Sequence, residues 1–538
     1  MRFKINKSRL QILIVIVFTT LVYINIINND FVWDDKTFIL NWEEKRYIGN
    51  SVNLLKGDVP EGHEGVYRPV RSFFYMVCYK IIGVNKYSYH IFSILIHLCV
   101  TLLVYFIIRG ILNKDVAFFS SLIFGIHPIH TESISYATSS FDIVGIIFLF
   151  LSLLFYIHYN KQGKRITYVF SLSFAILAVF TFEMTIVLPV LIIFYDLCIN
   201  KLEFIDIKKK VKLYSPYFFI VGLYLYIRFF ALNIIDRGSY LGNSFYYMML
   251  TMSKALFKYV LLVIFPTNLT VDHKISEGIV SLTYSGYNNE MILGQSIFDL
   301  NILFSLAVIL LLIYFGLIYY KKFGIISFSI GWFFISLLPV SNIIFIGSVM
   351  SEKYLYLASF GFCLLLGYFL SLFRKHEKLL IILLLIIFGS YSFITISRNG
   401  DWQGDLSLWS ATIEKTPDSS VAHYNLGNYY YRNRDFTLAE FYFKEAINLN
   451  PIYLKAYNNL GLVFLDTGKS DDAERLFKKL IGAKPDYAEA YNNLGLVYAN
   501  KGEYSKAKEM FINALEINPG FKAAKDNLVK VGLFIESE

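Results

Sequence analysis

Over most of its length this chain alternates long apolar runs with short polar loops. From about residue 398 onward that pattern gives way to a soluble repeat. The clearest runs are 10–27, 88–108, 141–159, 214–232, 299–320, 324–346, 354–373 and 379–397, with shorter ones at 115–126, 166–182 and 184–200. At 1.5 Å per residue, about 20 apolar residues cross a hydrocarbon core of roughly 30 Å, so the pattern predicts membrane-spanning helices. Residues 246–265 are apolar as well, and the runs alone do not decide whether they cross.

The C-terminal pattern has another period. Pro417, Pro451, Pro485 and Pro519 recur every 34 residues, as do Asn425-Leu426-Gly427, Asn459-Leu460-Gly461 and Asn493-Leu494-Gly495, and Phe443, Phe477 and Phe511. That spacing predicts tetratricopeptide repeats, paired antiparallel helices with small residues where helices touch: three full repeats and a partial fourth as a cap. Tyr424, Asn425, Asn428, Tyr457, Asn458, Tyr491 and Asn492 fall at first-helix positions, where they either line a concave groove or pack the helices together. The expected organisation is all-α: a membrane domain over 1–397, a linker at 398–416 and a repeat solenoid over 417–538.

Charge orients the membrane part. The net charge is +9, but Lys and Arg concentrate in short loops, which reads as membrane orientation and not as nucleic-acid binding. With the N-terminus (Arg2, Lys4, Lys7, Arg9) in the cytoplasm, the basic loops 109–114, 161–165, 201–212, 321–322 and 374–378 all fall inside if there are eleven crossings and 246–265 stays at the outer face. A twelfth crossing there would place the last two clusters outside. The first run is too long for a signal peptide and lacks a small-residue cleavage site, so it is expected to be a retained anchor. The outside then holds loop 31–87, the 127–142 region, Glu183, loop 233–298 and 351–353. A hydrophobic share of 56% and a mean hydropathy of +0.51 exclude a soluble globular chain. Cys78, Cys99, Cys198 and Cys363 are scattered through apolar stretches, with neither disulfide nor zinc spacing.

The outer loops carry the candidate chemistry. Trp33-Asp34-Asp35 follows the first run, and a carboxylate among apolar neighbours is a stronger base than one in water. The plainer reading is interfacial charge at a helix end. Tyr67-Arg68-Pro69-Val70-Arg71 precedes an aromatic amphipathic stretch, and arginine is a planar donor for phosphate oxygens or lipid headgroups. His127 and His130 have the spacing of a metal pair, but Pro128 interrupts a regular helix and no third ligand is evident, so a loop shaping a polar cavity with Glu132 fits better. Glu183 between two apolar runs needs a cavity to face. Glu352 and Lys353 open a late helix, either as an ion pair or with Lys353 on a phosphate.

In this order, FVWDD (31–35), YRPV (67–70) with Tyr89, His90 and His97, HPIHTE (127–132), FEMT (182–185) with Tyr195 and Asp196, PTNLTVDH (266–273), SEKYLYLASFGF (351–362) and RNGDW (398–402) resemble one family. It is the transmembrane and tetratricopeptide-repeat O-mannosyltransferases and their bacterial relatives, within the GT-C glycosyltransferase superfamily. Departures are Lys353, where Arg is commoner in the family, Phe182, where Lys is commoner, and a short repeat array.

The resemblance implies a GT-C-like membrane domain that moves a hexose, mannose in characterised members. The donor is a polyprenyl-phosphate carrier and the acceptor a Ser or Thr hydroxyl of an exported polypeptide, on the non-cytoplasmic face with inversion. A phosphate leaving group needs no general acid, so Asp34 or Asp35 would serve as base. Arg68, Arg71 and Lys353 would stabilise the departing phosphate, with Glu352 beside them, while His127, His130, Glu132 and Glu183 would shape the sugar site. The bilayer would hold the prenyl tail and the repeats the acceptor. No cofactor is expected, and a divalent metal is left open. Competing readings are a transferase with a glycan or lipid acceptor, and a non-enzymatic repeat scaffold, which would need one anchor helix and not eleven. Composition rich in Lys, Ile and Asn points to a bacterial cytoplasmic membrane; a eukaryotic chain would sit in the endoplasmic reticulum.

Overall fold

The computed structural model describes residues 7–42, 66–234, 244–273, 275, 299–344 and 348–537. Residues 235–243, 274 and 276–298 of the expected outer loop 233–298, and 43–65 of loop 31–87, lie outside the described residues. Among the described residues all regular structure is helical, and the chain divides into two compact units, 1–408 and 409–538.

In the first unit each of the eleven expected runs contains a helix, although in run 324–346 it ends at Leu337 and residues 345–346 lie outside the described residues. Among the described residues, eight helices are long and apolar enough to cross a membrane by length and composition. One of these is Phe245–Ile264, so the outer-face placement expected for 246–265 does not follow from its length or hydropathy. Its buried side chains Met248, Met252, Ala255, Tyr259 and Leu262 recur at three- and four-residue steps, which gives one face to the protein core. Lys254, off that stripe, pairs with Asp299 at 3.3 Å. Conversely, Lys114–Ile126, Arg165–Thr181, Leu188–Cys198 and Gly324–Leu337 are helices of 11 to 17 residues.

Polar ties collect the basic loops. Lys7, at 3.6 Å, and Arg374 both meet Asp115 at the start of Lys114–Ile126, and Lys161 donates to the Gly110 carbonyl. Lys321 pairs with Glu203 at 2.9 Å. At the opposite end of the first helix, Asn29 donates to the Asn399 carbonyl at 3.2 Å and the Asn399 amide to the Val22 carbonyl at 2.9 Å. The first and last membrane helices are thus zipped together beside the acidic loop.

In the second unit, helix pairs run Ser420–Arg432 with Phe436–Leu449, Leu454–Asp466 with Ser470–Ala483, and Ala488–Asn500 with Tyr504–Ile517, followed by the capping helix Lys522–Ser537. Glycine is required at one position per repeat. A Cβ on Gly427, Gly461 or Gly495 would sit 2.6 Å from the ring of Phe443, Phe477 or Phe511. The 34-residue pairing of Gly with Phe is therefore a packing contact. Pro451, Pro485 and Pro519 stand two residues beyond a helix end, where they cannot continue it. The expected linker 398–416 is mostly helical: its first residues end Glu377–Asp401 and the rest form Asp405–Lys415.

Candidate active site

The acidic loop is held from both sides. Asp35 has no exposed surface, and its carboxylate accepts the Thr138 backbone N–H at 2.6 Å and the Val32 N–H at 3.3 Å. Thr138 lies in the first turn of Ala137–Gln162, so the carboxylate caps a helix N-terminus, where an anion is favoured. Burial pushes the Asp35 carboxyl up to about 7, with the Thr138 and Val32 donors acting against it. Trp33 adopts the left-handed backbone at φ 51°, a conformation that costs a bulky residue about 1 kcal/mol or more. What holds it there is visible: its N–H donates to Asp405 at 3.1 Å, Lys36 pairs with the same carboxylate, and its indole stacks on Tyr136 at 5.7 Å. Asp34 is half-buried and bonds the Tyr136 hydroxyl.

One turn further along Ala137–Gln162 lies Asp142. It accepts Arg68 Nη1 at 2.7 Å and Arg71 Nη1 at 3.0 Å, while Arg68 also clasps Glu183 through Nε and through Nη2 at 2.8 Å. Two cations and two anions therefore form a compensated quartet. Phe182 lies under the Arg68 guanidinium at 5.0 Å. Beside the quartet, Ser133, Ser139, Asp142, Phe182, Lys353 and Tyr356 line a small open cleft of about 10 Å³. Lys353 is half-buried, and among the described residues its ammonium makes no hydrogen bond or ion pair.

Beneath Lys353 is a second acidic pair. Glu132 accepts the Ser351 hydroxyl at 2.8 Å and the Lys353 backbone N–H at 3.2 Å; burial raises its carboxyl above the usual range, against the pull of the Lys353 charge. Glu352 is fully buried and accepts the Thr270 N–H at 2.5 Å and His273 Nε2 at 2.9 Å, with Arg398 at 3.6 Å. Burial holds the His273 imidazole below its ordinary value, opposed by Glu352. Segments 33–36, 68–71, 132–142, 183, 270–273, 352–353 and 398–405 thus converge on one end of the helix bundle.

The expected sugar-site histidines are placed otherwise. His127 Nε2 meets the Val263 carbonyl at 3.0 Å and its Nδ1 accepts the Ile129 N–H at 3.2 Å. His130 meets the Phe124 carbonyl at 2.9 Å and the Ser359 hydroxyl at 2.8 Å. Both rings are fully buried with both nitrogens engaged, so they shape the core under the 127–132 turn and do not line the cleft. Arg68 and Arg71, expected on phosphate, are instead bound to carboxylates. No group of three His, Cys, Asp or Glu is placed to hold a metal among the described residues.

In the repeats, several of the expected acceptor contacts are made between the repeats themselves. Asn459 donates to Asn428 at 2.6 Å and to the Tyr424 hydroxyl at 3.3 Å, Asn493 to Asn458 at 2.9 Å, and Asn527 to Asn492 at 3.0 Å. Asn425 bonds the Val421 carbonyl of its own helix, and Tyr457 lies under Lys479 at 4.6 Å. Tyr491 is partly exposed. Sequence reasoning did not single out Tyr136, Thr138 or Asp142, and carried His273, Arg398 and Trp402 only within the motifs 266–273 and 398–402. The signal available for Asp142 was a charge inside an apolar run.

Residues 62–235 match the family described as dolichyl-phosphate-mannose-protein mannosyltransferase, and 420–453, 454–487 and 488–521 match tetratricopeptide repeats. A protein O-mannosyl-transferase of Caenorhabditis elegans is 27% identical over 482 residues, covering 83% of this chain and 64% of that protein. The human protein O-mannosyl-transferase TMTC3 is 22% identical over 489 residues, covering 83% and 52%. The chain therefore spans between about half and two-thirds of the length of these relatives. Among solved structures, a tetratricopeptide domain from Arabidopsis is 26% identical, covers 21% of this chain and 93% of its own, and has a TM-score of 0.20.

Proposed function

We propose that this chain, a relative of the protein O-mannosyl-transferases that carry tetratricopeptide repeats, is a membrane glycosyltransferase that moves a hexose, mannose by analogy with its relatives, from a polyprenyl-phosphate carrier to a Ser or Thr hydroxyl. The observation that carries the reading is the placement of Asp34. It is half-buried beside Tyr136, at the head of the helix whose next turn supplies Ser139 and Asp142 to the Lys353 cleft. Asp34 is the base and Asp35 the anchor, because both Asp35 oxygens already accept backbone N–H groups.

The acceptor oxygen attacks the anomeric carbon from the side opposite the phosphate. A carbon–oxygen bond to Ser or Thr forms, the bond to the phosphate oxygen breaks, the phosphate keeps the electron pair, and Asp34 takes the hydroxyl proton. Lys353, half-buried at the cleft, supplies the positive charge that meets the phosphate as negative charge grows on it. Asp142 and Glu183, aimed by Arg68 and Arg71, accept hydrogen bonds from sugar hydroxyls. The basic loops lie on the cytoplasmic side and the cleft on the other, so a prenyl tail in the bilayer and a polypeptide in water reach the same point. The repeats bind the acceptor through the groove positions that inter-repeat bonds leave open.

The test is to incubate purified protein with polyprenyl-phosphate mannose and a Ser/Thr peptide and to read the peptide mass. Wild type adds hexose and Asp34→Asn does not. Peptide of unchanged mass with every polyprenyl-phosphate hexose would reject the reading.

A further inference from the structure

Three aromatic rings from distant parts of the sequence stand in one column. Trp33 stacks on Tyr136 with centroids 5.7 Å apart and planes 15° apart, and Tyr136 stacks on Trp402 at 5.7 Å and 21°. Tyr136 and Trp402 are almost wholly buried, and the Arg398 guanidinium lies 5.9 Å from the Trp402 ring. Offset stacking of this kind contributes about 0.5–1.5 kcal/mol per pair beyond burial. Burial alone does not explain Trp33, because a left-handed backbone at φ 51° is an unfavourable place for an indole. Residues that hold such conformations cluster where a side chain must be aimed.

The column ends at the base. Tyr136 turns its hydroxyl to Asp34, the residue after Trp33, so the ring stack and the hydrogen bond fix both neighbours of one peptide unit. Trp33 N–H and Lys36 reach Asp405, three residues past Trp402, which ties the far side of the column to the same loop. We infer that Tyr136 is a positioning residue: clamped between Trp33 and Trp402, it holds the Asp34 carboxylate toward the acceptor hydroxyl. The inference rests on the function proposed above. It adds that Tyr136 and Trp402, which need not touch either substrate, set the rate of proton removal.

The test uses full-length protein with two independent readouts. In the transfer assay, Tyr136→Phe keeps the stacked ring and removes the hydroxyl. The expected result is a kcat about 10²-fold lower with KM for donor and peptide unchanged, since misplacing a reacting group by about 1 Å has an effect of that size. Trp402→Ala should lose rate similarly, and Trp402→Phe should restore most of it.

The second readout needs no turnover: labelling of Asp34 by a hydrophobic carbodiimide, quantified by peptide mass with Asp34→Asn as blank. A carboxylate released from the Tyr136 hydroxyl is free to turn toward the reagent, so Tyr136→Phe should label several-fold faster than wild type. Equal labelling, or a kcat within twofold of wild type, overturns the inference. If wild type transfers no sugar, the proposed function falls and the labelling comparison alone decides whether Tyr136 holds Asp34.

Discussion

Buried carboxylates occur at both ends of the helix bundle, and they are treated differently. Asp196 has no exposed surface and accepts from the Tyr156 and Tyr214 hydroxyls at 2.7 and 2.6 Å, Asn200 at 2.6 Å, Asn160 at 3.2 Å and Lys210 at 2.9 Å. All five donors come from residues 156–214, and none of these groups lines the cleft. At the other end Asp34, Asp35, Glu132, Asp142, Glu183 and Glu352 draw partners from across the first unit. Arg71 Nε, Arg398 Nε and Trp402 Nε1 are left buried with no hydrogen-bond partner among the described residues. A carboxylate whose oxygens are all taken by fixed donors is an anchor, Asp35 included. One assembled over long range beside a cleft, with donors unspent, is a site.

That contrast can be broken or sharpened, beginning with the largest effect. Asp34→Asn should lower hexose transfer about 10³-fold with the fold retained, read by initial rates and a thermal melt. Transfer at the wild-type rate would put Asp34 in the same class as Asp196. Lys353→Met should lower kcat about 10²-fold, because the leaving phosphate loses its nearest free cation, without lowering the melting temperature.

Asp35 tests the buried anchor by pH. Its folded carboxyl titrates near 7, above the unfolded value, so the fold binds a proton that the unfolded chain has released. Stability from this group is present below about pH 4 and is lost as pH rises through about 7, a difference of about 2–4 kcal/mol. Melts from pH 4 to 8 should show that slope in wild type and its loss in Asp35→Asn. Asp196→Asn should leave kcat within about threefold yet destabilise by about 1–3 kcal/mol, since it strands buried donors. Smallest is Gly461→Ala, whose new methyl meets Phe477. It should destabilise the repeats by about 1 kcal/mol and leave carbodiimide labelling of Asp34 unchanged.

Much of this was legible from residue order. Eleven apolar runs became helices, and the Gly-to-Phe spacing became a contact. Arg68 and Glu183 do meet, with Lys353 in the cleft beside them and the acidic loop at the head of the helix that carries Asp142, because charges are hard to place in an apolar fold except together. Roles were less legible. A His-x-x-His spacing reads the same whether its nitrogens face a ligand or backbone carbonyls, and only the packing of Phe124, Val263 and Ser359 decides for His127 and His130. Likewise an arginine suited to phosphate suits a carboxylate equally, and Asp142 was hidden in a run read as a span. The asparagines of the first repeat helices were ambiguous because an amide can pair with the next repeat as readily as with a peptide.

The Arg68, Arg71, Asp142 and Glu183 quartet carries a consequence for how such a sequence can drift. Each member neutralises another in a low-dielectric setting, so changing one alone abandons its counterpart, an error of several kcal/mol. Substitutions that survive must come in matched steps, a cation surrendered together with an anion. Three segments far apart in the chain are thereby bound to vary as a single heritable trait.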